Sequence, residues 1–234
     1  MTDSIDIVGN LRKIQDKIAR ASEKAGRNPD EITLIAVSKT KPIELIKSAF
    51  EAGQLDFGEN KVQEMTDKQP ELPDAHWHAI GNLQRNKVKY LAPYVHLIHS
   101  LDSEKLMKEI DKRAAKEERV IPCLIQLNIS DEAQKGGTQE SLARQLIEKL
   151  DEYPHVAIHG LMGIGEFTDE EKVIRAQFIR LREASEQLGD LHHERFVMKE
   201  LSMGMSGDFE LAIEEGSTMV RVGSAIFGAR HYAG

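Results

Sequence analysis

Lys39 is the residue of this sequence whose type and position are best suited to covalent chemistry. It follows the apolar run LIAVS, and burial at such a position disfavours the charged ammonium form of a lysine. An uncharged amine is a nucleophile toward a carbonyl group, so Lys39 is a candidate for imine formation. The alternative interpretation is a solvated lysine that opens a surface loop.

Two Gly- and Ser-rich segments near the end of the chain, LSMGMSGD and TMVRVGSAIFGAR, have the residue types that bind phosphate. Hydroxyls of Ser202 or Ser206 and backbone N–H groups near Gly223 and Ser224 would donate hydrogen bonds to the anion. The alternative is a pair of Gly-rich turns that hold no ligand.

A lysine amine combined with a phosphate-binding segment indicates two classes of ligand. One is pyridoxal 5′-phosphate (PLP), whose aldehyde forms an imine with lysine, and the other is a sugar phosphate handled by a Schiff-base aldolase. Arg221 favours PLP, because the ring nitrogen of PLP needs a partner and arginine is one of its usual partners. Since an arginine only donates, the ring nitrogen would stay unprotonated, and extensive carbanion chemistry would be poorly supported.

The elements that must position these residues are strands and helices in regular alternation. Residues 7–18 carry apolar side chains at helical spacing and predict an extra helix at the N-terminus. Segments with helical periodicity separate eight short β-rich runs, at residues 32–39, 55–60, 76–82, 95–101, 120–129, 156–164, 195–202 and 218–223. Eight such units predict an α/β fold, a (β/α)8 TIM-type barrel, in a single domain over residues 1–234. The alternative, an open doubly wound sheet, usually has a Gly-rich turn after its first strand, and none follows Lys39.

In such a barrel the ligand site is built where the strands end at their carboxyl side. Lys39 ends the first predicted strand, and both Gly-rich segments follow the last two, where barrel phosphate sites are usually found. This placement favours the phosphate interpretation over the structural one.

Composition and charge exclude several classes of protein. The chain has 234 residues, of which 40% are hydrophobic and 30% charged, as is typical of a globular domain. Its net charge of −8 offers no attraction to nucleic acid or to an anionic membrane. The start MTDSIDIVGN lacks the basic residues and apolar stretch of a signal peptide, so we expect a cytoplasmic protein.

We expect neither a metal site nor a reactive thiol. His76 and His78 alternate on one face of a predicted strand, but no third ligand with suitable spacing follows them in the sequence. The single cysteine, Cys123, lies in the apolar run VIPCLIQLNI, which predicts a buried core residue.

Five segments taken together, AVSKTKP, FGENKVQE, HWHAIGNLQRNK, LSMGMSGDFELAI and GSTMVRVGSAIFGAR, resemble the pyridoxal phosphate homeostasis protein family. These proteins are single-domain relatives of the alanine racemase N-terminal barrel, and the resemblance covers nearly the whole chain. It implies PLP joined to Lys39 as an internal aldimine, with Arg221 facing the ring nitrogen. The resemblance also places Asn60 close to the cofactor and His78 at the cofactor's edge. The residues that it implies for the phosphate are Ser202, Ser206, Gly223 and Ser224.

The function implied by the resemblance is to buffer or carry PLP in vitamin B6 and amino-acid homeostasis, without robust catalysis. PLP-dependent apo-enzymes are the expected recipients. The alternative is a weak PLP-dependent amino-acid racemase that uses Lys39 and His78 as its two bases. Alanine racemases take their second base, and part of their dimer contact, from a further domain, so we expect the second base to be missing and the chain to be a monomer. Lys135 is a candidate for a transient second link to PLP, although a solvated loop lysine is the simpler interpretation.

Overall fold

Eight parallel strands form a closed barrel in the computed structural model, which describes residues 5–130, 136–166 and 168–228. Each strand pairs with the next, and β1 closes the barrel by pairing with β8 from Thr33 opposite Met219 to Ala36 opposite Val222. The predicted (β/α)8 barrel is therefore confirmed. The strands are β1 Thr33–Val37, β2 Asp56–Glu59, β3 His76–Ala79, β4 Leu97–Leu101, β5 Ile121–Leu127, β6 Val156–Gly163, β7 Phe196–Met205 and β8 Met219–Val222.

Helices follow the strands and cover the outside of the barrel. Within the described residues the α-helices are α1 Ile7–Lys24, α2 Ile43–Glu51, α3 Val62–Lys68, α4 Val88–Leu91, α5 Glu104–Lys116, α6 Glu140–Glu148, α7 Glu171–Gly189, α8 Phe209–Glu214 and α9 Ser224–Phe227. Short 3₁₀ turns lie at Pro29–Glu31, Gln69–Glu71, Arg85–Lys87 and Leu150–Glu152. In the part of the chain that is described, no helix has the length and apolar character needed to cross a bilayer.

The additional N-terminal helix, α1, is present as predicted. Asp6 caps it by accepting a hydrogen bond from the backbone N–H of Gly9 at 2.9 Å. Its buried face includes Ile7, Leu11 and Ile18, and it packs against α8 and α9. This contact connects the start of the chain to the segment in which we expect the phosphate site.

The interior of the barrel combines an apolar layer with polar side chains. Ile35, Leu97, Leu124, Met162 and Met219 pack together as a separate buried cluster inside the ring of strands. Side chains two positions along a strand face the same side, so the residues that continue this inner face lie above or below that layer. Among them are His99, Gln126 and Arg221.

The strand ends differ from the predicted ones, most of all in β7. The predicted strand stops at Ser202, whereas β7 continues to Met205. A register shift between Ser202 and Met205 and the left-handed backbone of Gly204, with φ of 92°, allow the extra residues to stay in the sheet. Ser202 therefore lies within the barrel wall and not in the loop that follows it.

Candidate functional site

A cavity of about 840 Å³ opens at the carboxyl ends of the strands, within the size range of small-molecule sites. The loops after β1, β2 and β3 line one part of its wall, and the loops after β7 and β8 line another. Six of the sequence-predicted site residues line it: Lys39, Asn60, Ser206, Arg221, Gly223 and Ser224.

Lys39 lies two residues beyond the end of β1, and hydrogen bonds hold the residues on both sides of it. Ser38 donates from its hydroxyl to Oε1 of Glu59 at 2.7 Å and is buried. Thr40 adopts the left-handed region with φ of 63°, and its backbone N–H donates to Oε1 of Glu64. A β-branched residue in this region is strained and persists only where neighbouring contacts impose it. The backbone that carries Lys39 is thus fixed from both sides.

A buried ion-pair cluster lies behind this segment. Lys68 Nζ donates to Oε1 of Glu59 at 2.7 Å, to Oε1 of Glu64 at 2.6 Å, and to the carbonyl oxygen of Ser38 at 2.9 Å. Burial raises the pKa of Glu59, and the charge of Lys68 opposes that rise. This cluster was not predicted from the sequence, although Glu64 and Lys68 lie four residues apart on one helix, which is the spacing of an ion pair.

Arg221 extends from β8 into the floor of the cavity. Its Nη1 donates to the carbonyl oxygen of Ser202 at 2.7 Å and to the Ser202 hydroxyl at 2.6 Å, and Nη2 donates to the carbonyl of Gly163 at 3.0 Å. Burial lowers the pKa of Arg221 to about 10, against the attraction of Asp208. Arg221 is therefore a cation at neutral pH and offers the cavity only donors.

The two Gly- and Ser-rich segments meet at one side of the cavity. The backbone N–H of Gly223 donates to the hydroxyl of Ser206 at 3.2 Å, which joins the loop after β7 to the loop after β8. Lys41 Nζ donates to the carbonyl oxygens of Phe227 and Gly228, both at 2.9 Å. Ser206 and Ser224 both line the cavity, so two serines from adjacent loops border the same space.

Asn60 follows β2 and lies against Gly81, which follows β3. A Cβ atom at Gly81 would lie 2.5 Å from the backbone oxygen of Asn60, so only glycine allows the two loops to approach this closely. Both residues line the cavity. Gly81 therefore allows the loops after β2 and β3 to lie in close contact at the cavity wall.

Ser202 and His78, which were also predicted as site residues, lie inside the barrel. Among the described residues, neither of these two lines the cavity. Ser202 is fully buried in β7, and its hydroxyl is hydrogen-bonded to Arg221 and His99. His78 is buried in β3, and its ring is hydrogen-bonded to His99 and Asp56. The placement of these two residues at the cofactor therefore stays a prediction.

These two residues belong instead to a continuous hydrogen-bonded chain through the barrel. His78 Nε2 lies 3.0 Å from Oδ1 of Asp56, and His78 Nδ1 lies 3.0 Å from Nε2 of His99. His99 Nδ1 lies 2.9 Å from the hydroxyl of Ser202, which accepts from Arg221 at 2.6 Å. The chain links the floor of the cavity to the N-terminal end of β2.

Other candidate metal ligands lie close to His78 in the fold, although none was predicted from spacing along the sequence. Asp56 and His96, which the sequence places far from each other, lie with His78 in a group whose ligand atoms are within 4.8 Å of one another. Adjacent strands supply these residues, so spacing along the chain gave no signal. Lys135, the candidate for a second link to PLP, lies outside the described residues.

The alanine racemase N-terminal domain family matches residues 9–231 of this chain. A pyridoxal phosphate homeostasis protein of Aquifex aeolicus is 42% identical over 224 residues, which cover 95% of this chain and 97% of that protein. The chain belongs to the pyridoxal phosphate homeostasis protein family. Another member, from Escherichia coli strain K12, is 41% identical over 233 residues and 98% of its length.

A solved structure extends this similarity to the fold. PipY of Synechococcus elongatus, in its structure with PLP bound, has a TM-score of 0.78 and 35% sequence identity to this chain. The match covers 90% of this chain and 100% of PipY. The homeostasis-protein family is thus shown by sequence and by structure over nearly the whole described barrel.

Proposed function

We propose that this chain binds PLP in the cavity at the carboxyl ends of the strands, linked to Lys39, and buffers or carries the cofactor. The observation that carries the proposal is the meeting of an amine, a donor-only cation and two hydroxyls in one cavity. The naming of the relatives as PLP homeostasis proteins and the PLP-bound form of PipY support it.

The residues that line the cavity fit the functional groups of PLP. PLP brings an aldehyde, which a lysine amine holds reversibly, and a pyridine ring that withdraws electrons when its nitrogen is protonated. We assign Lys39 to the aldehyde, Arg221 to the ring nitrogen, and Ser206 with Gly223 and Ser224 to the phosphate. Asn60 would contact the cofactor from the opposite loop.

Arg221 favours storage of the cofactor over catalysis. The guanidinium is already fixed by three hydrogen bonds to β6 and β7 and has only donors to present. A ring nitrogen that accepts from Arg221 stays unprotonated, so the ring withdraws electrons weakly and carbanions are stabilised little. We further propose that PLP-dependent apo-enzymes receive the cofactor and that the chain acts as a monomer.

The absorbance spectrum of the purified chain, before and after borohydride reduction, tests the proposal. We expect a visible band that reduction removes, and a pyridoxyl group on Lys39 by peptide mapping. Lys39→Ala should abolish the adduct, whereas the matched Lys41→Ala, which removes another lysine of the same cavity, should leave it on Lys39. Absence of any adduct after incubation with added PLP would overturn the proposal and favour the sugar-phosphate alternative.

Exchange of a substrate α-proton with solvent separates storage from racemisation. The carrier function predicts negligible exchange in deuterated water and transfer of PLP to an added apo-enzyme. Exchange that Lys39→Ala abolishes would instead assign the chain to weak racemases.

A further inference from the structure

Four histidine and aspartate side chains that the proposed function does not use meet at the N-terminal ends of β2, β3 and β4. Asp56 is the first residue of β2, His76 and His78 are the first and third residues of β3, and His96 immediately precedes β4. We propose that Asp56, His78 and His96 bind a divalent transition-metal ion, for which Zn²⁺ is the representative ion. This site lies at the end of the barrel opposite the PLP cavity.

The spacing of the ligand atoms is close to that of a metal centre. The nearest atoms of His78 and Asp56, Nε2 and Oδ1, are 3.0 Å apart, and the atoms of all three residues lie within 4.8 Å. A tetrahedral zinc ion with bonds of about 2.0–2.1 Å separates its ligands by about 3.3 Å. Because His96 is exposed, rotation of its side chain can close the remaining gap without moving a strand.

His76 supplies a fourth donor beside the three. Its Nδ1 lies 3.1 Å from the same Oδ1 of Asp56, and its ring stacks on that of His96 with the centroids 4.4 Å apart. The fourth position of the ion is therefore available to His76 or to water, as in zinc sites with three protein ligands.

The ligand set selects the kind of metal. Two or three imidazoles with one carboxylate suit zinc, cobalt, nickel or copper, whereas magnesium and calcium prefer oxygen ligands throughout. An imidazole binds through an unprotonated nitrogen, so a neutral His78 that binds through Nε2 carries its one proton on Nδ1, and a net proton is released to water only from an imidazolium.

The surroundings of the cluster combine a fixed ligand with an open entry path. His78 is 1% exposed, and its Nδ1 lies 3.0 Å from Nε2 of His99, so the second ring nitrogen of a metal-bound His78 would have a hydrogen-bond acceptor. On the outer side, the His76 side chain is 42% exposed, and Asp56 also lines a surface depression of about 360 Å³. An ion can reach the ligands from solvent without passing the barrel interior.

Titration of the PLP-bound chain, prepared without a polyhistidine tag and stripped with EDTA, tests the site. Co²⁺ reports its ligands through visible d–d absorption, and Zn²⁺ is titrated in competition with a chromophoric chelator. The variants are His96→Gln and Asp56→Asn. His155→Gln is the matched control, because His155 also pairs with an aspartate, Asp111, at 3.2 Å but belongs to no group of three candidate metal ligands among the described residues.

We expect one Zn²⁺ per chain, with unchanged affinity in His155→Gln and at least a tenfold loss in the two cluster variants. Unchanged circular dichroism and PLP absorbance in His96→Gln, which alters an exposed side chain, would show that the loss is local. The proposal is overturned if the unmodified chain develops no cobalt bands, or if both cluster variants bind Zn²⁺ as the unmodified chain does. Neither result bears on PLP binding, which is measured independently.

Discussion

Arg221 donates from one nitrogen, Nη1, to both the carbonyl oxygen and the hydroxyl oxygen of Ser202, at 2.7 and 2.6 Å. The serine therefore lies beneath the guanidinium and orients it toward the cavity. Its hydroxyl is committed to Arg221 and, on its other side, to His99. Ser206, four residues later, is the serine of β7 and its loop that lines the cavity.

The two serines should consequently affect PLP binding in different ways. Ser206→Ala removes a hydroxyl assigned to the phosphate and should weaken PLP by about 10–100-fold, as expected for a hydrogen bond to a charged group worth about 1.5–3 kcal/mol. Affinity for pyridoxal, which has no phosphate, should change little. Ser202→Ala should leave the preference for PLP over pyridoxal intact. Equilibrium titration of both ligands against both variants measures this preference, and an equal loss of it in the two variants would contradict the assignment.

The buried pair of Lys68 and Glu59 should matter for stability far more than an exposed pair does. Lys68→Met leaves a fully buried carboxylate without its cation and should lower the free energy of unfolding by about 3–5 kcal/mol. Lys47→Met removes a lysine that pairs with Glu71 at the surface, and it should change the free energy of unfolding little. Urea unfolding of the PLP-free chains gives both values.

The same Lys68→Met variant should regain stability as the solution becomes more acidic. Burial raises the pKa of Glu59 above its value in the unfolded chain, so the folded state takes up a proton more readily than the unfolded state. The free energy of unfolding of the variant therefore rises as the pH falls toward the pKa that Glu59 has in the unfolded chain. A stability difference from the unmodified chain that is constant between about pH 7 and pH 5 would contradict this account.

Gly81→Ala should disturb the loop that carries Asn60. The new Cβ would lie 2.5 Å from a backbone oxygen, and relief of the clash requires the two loops to separate. We expect a loss of about 1–3 kcal/mol of unfolding free energy, the usual cost of overpacking. Gly207→Ala is the control, since a Cβ there meets nothing within 4 Å. Denaturant unfolding of the PLP-free forms compares the two, and equal stability would show that the loops move apart easily.

Glu214 should make the fold sensitive to acid. Its hydrogen bonds to Lys24 and Arg175 lower the pKa of its carboxyl in the folded chain. The stability that Glu214 contributes is therefore present above the pKa that its carboxyl has in the unfolded chain, and it is lost as the pH falls through the lower pKa of the folded chain. Glu214→Gln should therefore have a lower Tm than the unmodified chain at about pH 7 and a similar Tm at about pH 2.5. Glu210→Gln, at an exposed pair with Lys17, should shift Tm little at either pH. A Tm deficit of Glu214→Gln that persists in acid would contradict the charge explanation.

The number and order of the strands followed from the sequence because short β-rich runs alternate regularly with helical segments, and several strands, such as β1 and β5, are buried on both faces and are nearly continuous apolar runs. The end of β7 did not follow, since it depends on the register shift and on the left-handed backbone at Gly204. That difference of three residues decides whether Ser202 faces a ligand or lies within the barrel.

The polar side chains inside the barrel were harder still to predict. Alternation places His76 and His78 on one face of β3, but the neighbours of that face depend on the pairing of Asp56 with His76 across β2 and β3. Pairing across strands is a property of the closed sheet and leaves no spacing in the sequence. In contrast, the positions of Lys39 and Arg221 at the cavity were predictable, because Lys39 follows β1 and Arg221 lies near the carboxyl end of β8, the side where barrel sites form.

The hydrogen-bonded chain from Arg221 to Asp56 also gives the barrel interior a direction. A guanidinium only donates and a carboxylate only accepts, so with both rings neutral every hydrogen points from Ser202 through His99 and His78 toward Asp56. If His78 becomes a cation, or binds a metal through Nε2, it must donate from Nδ1 to His99, and His99 takes the opposite tautomer and donates to Ser202. The tautomer of the buried His99 thus depends on the charge at the N-terminal end of the barrel. His99 contacts Ser202, which is hydrogen-bonded to Arg221 at the cavity.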